Sequence, residues 1–181
     1  IGPEDQRSPT TLYGIWKCAN ESTARLFESD YALPSVGLIP HTIYGPGRDQ
    51  GLTSQPTSAV LSAVRKQDFH IEYGGSLALQ FAPDSARDFI QATRLEPQGS
   101  EIHALGGTVA SIAEFVDGIQ QVTNFTEITY GEDSLPFPVA VDSTSLETRL
   151  GALSHTPLLE SIDRTVQLFK EAELTGLPLP S

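Results

Sequence analysis

Several things are scarce or missing in this 181-residue chain. It has no methionine, one tryptophan and a single cysteine, Cys18. One thiol excludes an internal disulfide and any zinc site built on cysteine pairs. Lysine and arginine number only 11 against 23 acidic residues, a net charge of −12. That balance argues against nucleic acid and anionic membrane as partners, since both reward a basic face. No apolar run approaches the ~20 residues of a membrane span, and no signal-peptide pattern opens the chain. The four histidines, His41, His70, His103 and His155, are scattered with no ligand-like spacing, so no metal site is expected. No G-x-S-x-G elbow marks a serine hydrolase, and no G-x-G-x-x-G turn follows a strand. The nearest run, Gly45 to Gly51, has the wrong spacing. Two sequons, at Asn20 and Asn124, have no secretory context, and the cytoplasm is the default location.

The size suits one domain with one core, and 39% apolar with 19% charged residues is ordinary for a globular protein. Strand and helix patterns alternate, which predicts an α/β fold. Thr10 or Thr11 is placed to cap a helix reaching about Tyr31, with Leu12, Trp16, Ala19, Thr23 and Leu26 on one face. Ser35 to Ile39 reads as a central, buried parallel strand and Tyr44 to Ser54 as a Gly/Pro loop. Further helices are expected over 56–66, 83–93, 112–122, 145–150 and 158–174. Strands are expected over 70–73, 77–81, 101–105 and 127–130. Ser111 and Glu114 form a capping-box pattern. The tail from Gly176 to Ser181 is expected to be loose.

The chemistry starts with Tyr13 and Lys17. Four residues apart on a helix, they share a face. The ammonium favours the phenolate, so such a pair can move a proton to or from a carbinol. Around them stand Tyr13-Gly14-x-x-Lys17-x-x-x-Glu21, Leu38-x-Pro40-x-x-Ile43-Tyr44-Gly45-Pro46-Gly47, Phe81-Ala82-Pro83-Asp84-Ser85-Ala86 and Ser111-Ile112-Ala113-Glu114-Phe115. Together these resemble the extended short-chain dehydrogenase/reductases, the NAD-dependent epimerase/dehydratase family, over nearly the whole chain.

The resemblance implies the later strands of a Rossmann-like parallel sheet followed by a small C-terminal α/β substrate-binding region. Residues 1–55 are then the catalytic helix and a late Rossmann strand, and residues 56–181 the substrate region. It implies Tyr13 as general acid/base, with Lys17 tuning it and holding the nicotinamide ribose. Pro40 and Ile43 become cofactor contacts for NAD or NADP, and Thr42 faces substrate. In the following loop Arg48, Thr53 and Ser54 are suited to a polar or anionic substrate group. The reaction implied is epimerase, dehydratase or dehydrogenase chemistry on a sugar, nucleotide sugar or related hydroxy compound.

Two departures stand out: Ile39 occupies a position where the family usually has Arg, and Leu77 one where nucleotide-sugar enzymes often have Arg. A homodimer through the Tyr13 helix is expected, because Trp16, Leu26 and Phe27 exceed one apolar stripe. Missing a glycine-rich half and opening at Ile1, the chain reads as the C-terminal portion of a longer protein. The competing expectation is a non-catalytic Rossmann-derived binding or regulatory module.

Overall fold

The computed structural model describes residues 7–176, and the remainder of the expected loose tail lies outside them. The first helix, α1 (Leu12–Tyr31), starts where Thr11 accepts a hydrogen bond from the Gly14 amide at 3.1 Å. It ends at Ala32, whose left-handed backbone (φ 52°) closes the last turn. Strand β1 (Ser35–Ile39) follows, then β2 (Thr42–Tyr44), a 3-10 turn (Leu52–Ser54) and α2 (Gln55–Arg65). Next come β3 (Phe69–Ile71), β4 (Ser76–Phe81), α3 (Ala82–Ala92), β5 (Ser100–Ala104), β6 (Thr108–Ser111) and α4 (Ile112–Thr123). Strand β7 (Ile128–Tyr130), α5 (Thr144–Leu150) and α6 (Leu158–Thr175) complete the chain. The fold is α/β, as the alternation predicts.

Three pairings run parallel: β1 with β5, β2 with β4, and β3 with β7. The return β4–β6 is antiparallel and brings Ser76 opposite Ser111, where a full capping box opens α4. The core gathers Tyr44, Val60, Ile71, Leu79, Phe115, Ile162 and Phe169 from β2, α2, β3, β4, α4 and α6. Tyr44 stacks edge-on against Phe115 (84°, 5.0 Å) and its hydroxyl meets the Ser161 hydroxyl, fixing α6 to the sheet. Burial pushes the Tyr44 phenol up to about 12, so it stays protonated.

Two expectations about the N-terminal part need correction. Strand β1 is parallel, but it pairs only with β5 among the described strands, and all five of its residues are half-buried. Its far edge carries no described partner, so it is not the central buried strand that its apolar run suggests. The helix turns inward the stripe Gly14, Cys18, Glu21 and Ala24, mostly small residues, not the face of Leu12, Trp16 and Leu26, which stay exposed. A close approach favours the narrow side, and Cys18 is half-buried there. Among the described residues no helix is long and apolar enough to cross a membrane.

Candidate active site

Helix α1 and strand β1 flank a cleft of about 630 Å³. Tyr13, Gly14, Lys17 and Ala24 line its helix side, and Val36 to Pro40 its strand side. A neighbouring cleft of about 620 Å³ opens past the carboxyl end of β1, and Tyr13 and Pro40 line both. The carboxyl ends of parallel strands are where α/β folds collect ligands. Tyr13 is 67% exposed, and Lys17 Nζ lies 5.1 Å from its ring centroid, over the ring. Lys17 makes no hydrogen bond or ion pair among the described residues, so its three donors face the cleft region unspent. Glu21 does not partner Lys17; its carboxylate binds Arg7 at 3.2 Å.

The second cleft gathers most of the expected substrate residues. Thr42, only 3% exposed, stands on its floor at the start of β2. Arg48 and Thr53 come from the loop, where Arg48 Nη2 donates to Thr53 Oγ1 at 3.0 Å and Nη1 to the Gln50 carbonyl. Phe137 and Pro138 form the opposite wall. Ser54 does not belong: it is buried and donates to the Gly51 carbonyl at 2.8 Å, closing the 3-10 turn that leads into α2. Ile43 lines neither cleft, because it points from the middle of a three-residue strand whose alternate side chains, Thr42 and Tyr44, are the buried ones.

His41, scattered among the histidines in sequence, is the residue that the pattern missed. It lines the second cleft beside Thr42. Its amide donates to Gln80 Oε1 at 2.9 Å, and Gln80 is itself buried and tied to the carbonyls of Leu105 and Gly106. The imidazole makes no hydrogen bond among the described residues. Burial, aided by nearby positive charge including Arg7, holds its pKa below the ordinary histidine value. The ring is therefore neutral near pH 7, with one donor and one acceptor to offer. Its position directly after Pro40, at the end of a strand, was the only sequence signal.

These groups suit the nicotinamide-ribose end of a dinucleotide: an unspent ammonium, a phenol, and a cleft running along a parallel strand. The pyrophosphate end has no partner here, since no glycine-rich turn follows a strand in the sequence. Among the described residues no cluster of histidine, cysteine and carboxylate could hold a metal.

The family model for the NAD dependent epimerase/dehydratase family matches residues 2–93. The chain belongs to that family. No curated protein matches it. Solved structures share the fold: a partial consensus L-threonine 3-dehydrogenase aligns at TM-score 0.80 and 18% identity, over 94% of this chain and 63% of that one. UDP-glucose 4-epimerase of Thermotoga maritima, solved with UDP-glucose, aligns at TM-score 0.76 and 22% identity over 92% and 55%. UDP-glucuronic acid 4-epimerase of Bacillus cereus, solved with UDP-glucuronic acid and NAD, aligns at 0.80 and 16% over 94% and 56%. The chain thus spans 55 to 63% of the length of these structures.

Proposed function

We propose that the intact protein is an NAD- or NADP-dependent oxidoreductase or isomerase of the epimerase/dehydratase type, acting on a sugar, nucleotide sugar or related hydroxy compound. The observation that carries this reading is the Tyr13–Lys17 pair, with its ammonium 5.1 Å from the ring centroid, at the junction of the two clefts. Tyr13 is the only phenol lining both clefts, so it is placed to exchange a proton with a substrate hydroxyl. A nicotinamide held there by Lys17 and Tyr13 would supply the acceptor for the hydride from the carbinol carbon. Lys17 holds the ribose with its free donors. Pro40 packs at the cofactor side, and Ile43 supports it only through the backbone of β2. Thr42, Arg48 and Thr53 hold the substrate, whereas Ser54 shapes the loop. In this reading residues 1–55 supply the catalytic helix, the late Rossmann strand and the Thr42, Arg48 and Thr53 contacts, and residues 56–181 supply the rest of the substrate region, with Phe137 and Pro138 lining the cleft. A homodimer through α1 completes it.

A second reading, a non-catalytic binding or regulatory module, is favoured by the β1 edge that has no partner among the described strands and by the lack of a phosphate turn in the sequence. One experiment separates the two. In the intact protein Tyr13→Phe is expected to reduce turnover by about 10²–10⁴-fold and to leave nicotinamide-cofactor affinity near wild type. Lys17→Ala is expected to weaken both. Wild-type turnover in Tyr13→Phe rejects the acid/base role, and absence of any nicotinamide-linked turnover in the wild type favours the module.

A further inference from the structure

The chain carries 23 acidic residues, yet among the described residues no carboxylate lines the 620 Å³ cleft. Its polar lining is Tyr13, His41, Thr42, Arg48 and Thr53. Arg48 forms no ion pair among the described residues. Two of its five N–H bonds are spent on the Gln50 carbonyl and Thr53 Oγ1, which fix the guanidinium in place. Gly51 beside it holds a left-handed backbone (φ +91°) that favours glycine, and a Cβ there would meet Arg48 Nη2 at 3.4 Å. A guanidinium held by its own loop, with donors left over, is a prepared fork for a carboxylate or phosphate. In a protein of net charge −12 an anion needs such a local cation to offset the overall field.

We infer that the substrate of this cleft carries an anionic group, a carboxylate or a phosphate, on the same small framework as the hydroxyl that faces Tyr13, with Arg48 as its anchor and the His41 ring hydrogen-bonding beside it. This rests on the acid/base reading of Tyr13 given above. Because Tyr13 and Arg48 line one cleft, the charge and the reacting carbinol belong to one compact molecule. The neutral His41 ring serves either face of such a group, donating to an anion oxygen or accepting from a neighbouring hydroxyl.

The test is titration calorimetry on the intact protein with three probes that share a three-carbon frame: glycerate, glycerol 3-phosphate and glycerol. At least one anion is expected to bind and glycerol to bind far more weakly. Glycerate alone assigns the carboxylate, and glycerol 3-phosphate alone the phosphate. Arg48→Gln is expected to lower affinity for the bound anion by about tenfold or more. Arg48→Lys keeps the charge and is expected to retain part of it, which guards against a loop that merely collapses. Anion binding that survives Arg48→Gln, equal binding of glycerol, or no measurable anion binding overturns the inference. Nicotinamide reduction is followed in parallel. Arg48-dependent anion binding without turnover leaves this inference standing and rejects the enzymatic reading. Turnover with no preference for an anionic substrate does the reverse.

Discussion

Glu101 shows how one residue joins distant parts of this chain. Desolvation works to raise its pKa, but hydrogen bonds from the Gln98 amide, His103 and Arg149, with the Arg149 charge, hold it below the usual glutamate value. It thereby ties β5 to α5, where Ser145 also meets His103 at 3.0 Å. A carboxylate depressed in the folded state stabilises fully above its unfolded value of 4.5 and loses that contribution as pH falls through the lower folded value. Acid unfolding monitored by circular dichroism should therefore show a weakened acid limb in Glu101→Gln, whereas an unchanged limb refutes the tie. Tyr13 and Lys17 could be read from four-residue spacing because helical periodicity is local. His41 could not: what sets its position is Gln80, thirty-nine residues away, and its unbonded ring has no signature in sequence. Ser54 bonds its own turn, which a serine in a Gly/Pro loop is as able to do as to meet a ligand.

At the scale of elements, α3 acts as a clasp for the segment that leads into α6. Asp84, buried in the first turn of α3, accepts from the Thr156 amide at 2.7 Å and hydroxyl at 2.9 Å, and from Arg87 at 2.7 Å. Asp88, one turn on, accepts from the Ser154 amide at 2.9 Å. These contacts make a long-range strap that local spacing in the sequence cannot reveal. Asp84→Ala leaves the buried Thr156 amide without a partner and is expected to cost about 2–4 kcal/mol, read from the urea midpoint. A loss within error of zero contradicts the clasp. The ends of β3 and β7 meet as closely: a Cβ on Gly74 would lie 2.3 Å from the Gly131 carbonyl oxygen. Gly74→Ala is expected to destabilise by more than about 2 kcal/mol in the same measurement, since backbone has to move. The segment that presses on Gly74 lies far along the chain at Gly131, where local sequence pattern does not record it.

At the scale of the whole molecule, the core lies between residues 44 and 169, and α1 contributes no buried residue to it. The bounds of α1 were legible because Thr11 caps it, but its packed face was not. Amphipathicity records how apolar a face is, not what covers it. Trp16 (63% exposed), Leu26 and Phe27 are exposed on α1, and the proposed homodimer rests on that apolar surface. Sedimentation of the intact protein is expected to show a dimer that Trp16→Glu weakens; a strict monomer at high concentration rules it out. The β1 edge that has no partner among the described strands and the unspent Lys17 motivate the central proposal, that this chain carries the nicotinamide side of a dinucleotide site and not its phosphate cradle. Each charge-assisted hydrogen bond of such a cradle is worth roughly 1.5–3 kcal/mol, so without it a micromolar site falls to millimolar or weaker. Calorimetric titration of NAD into the 181-residue chain tests this most directly: the account predicts a dissociation constant weaker than about 1 mM, and micromolar binding by this chain alone would contradict it.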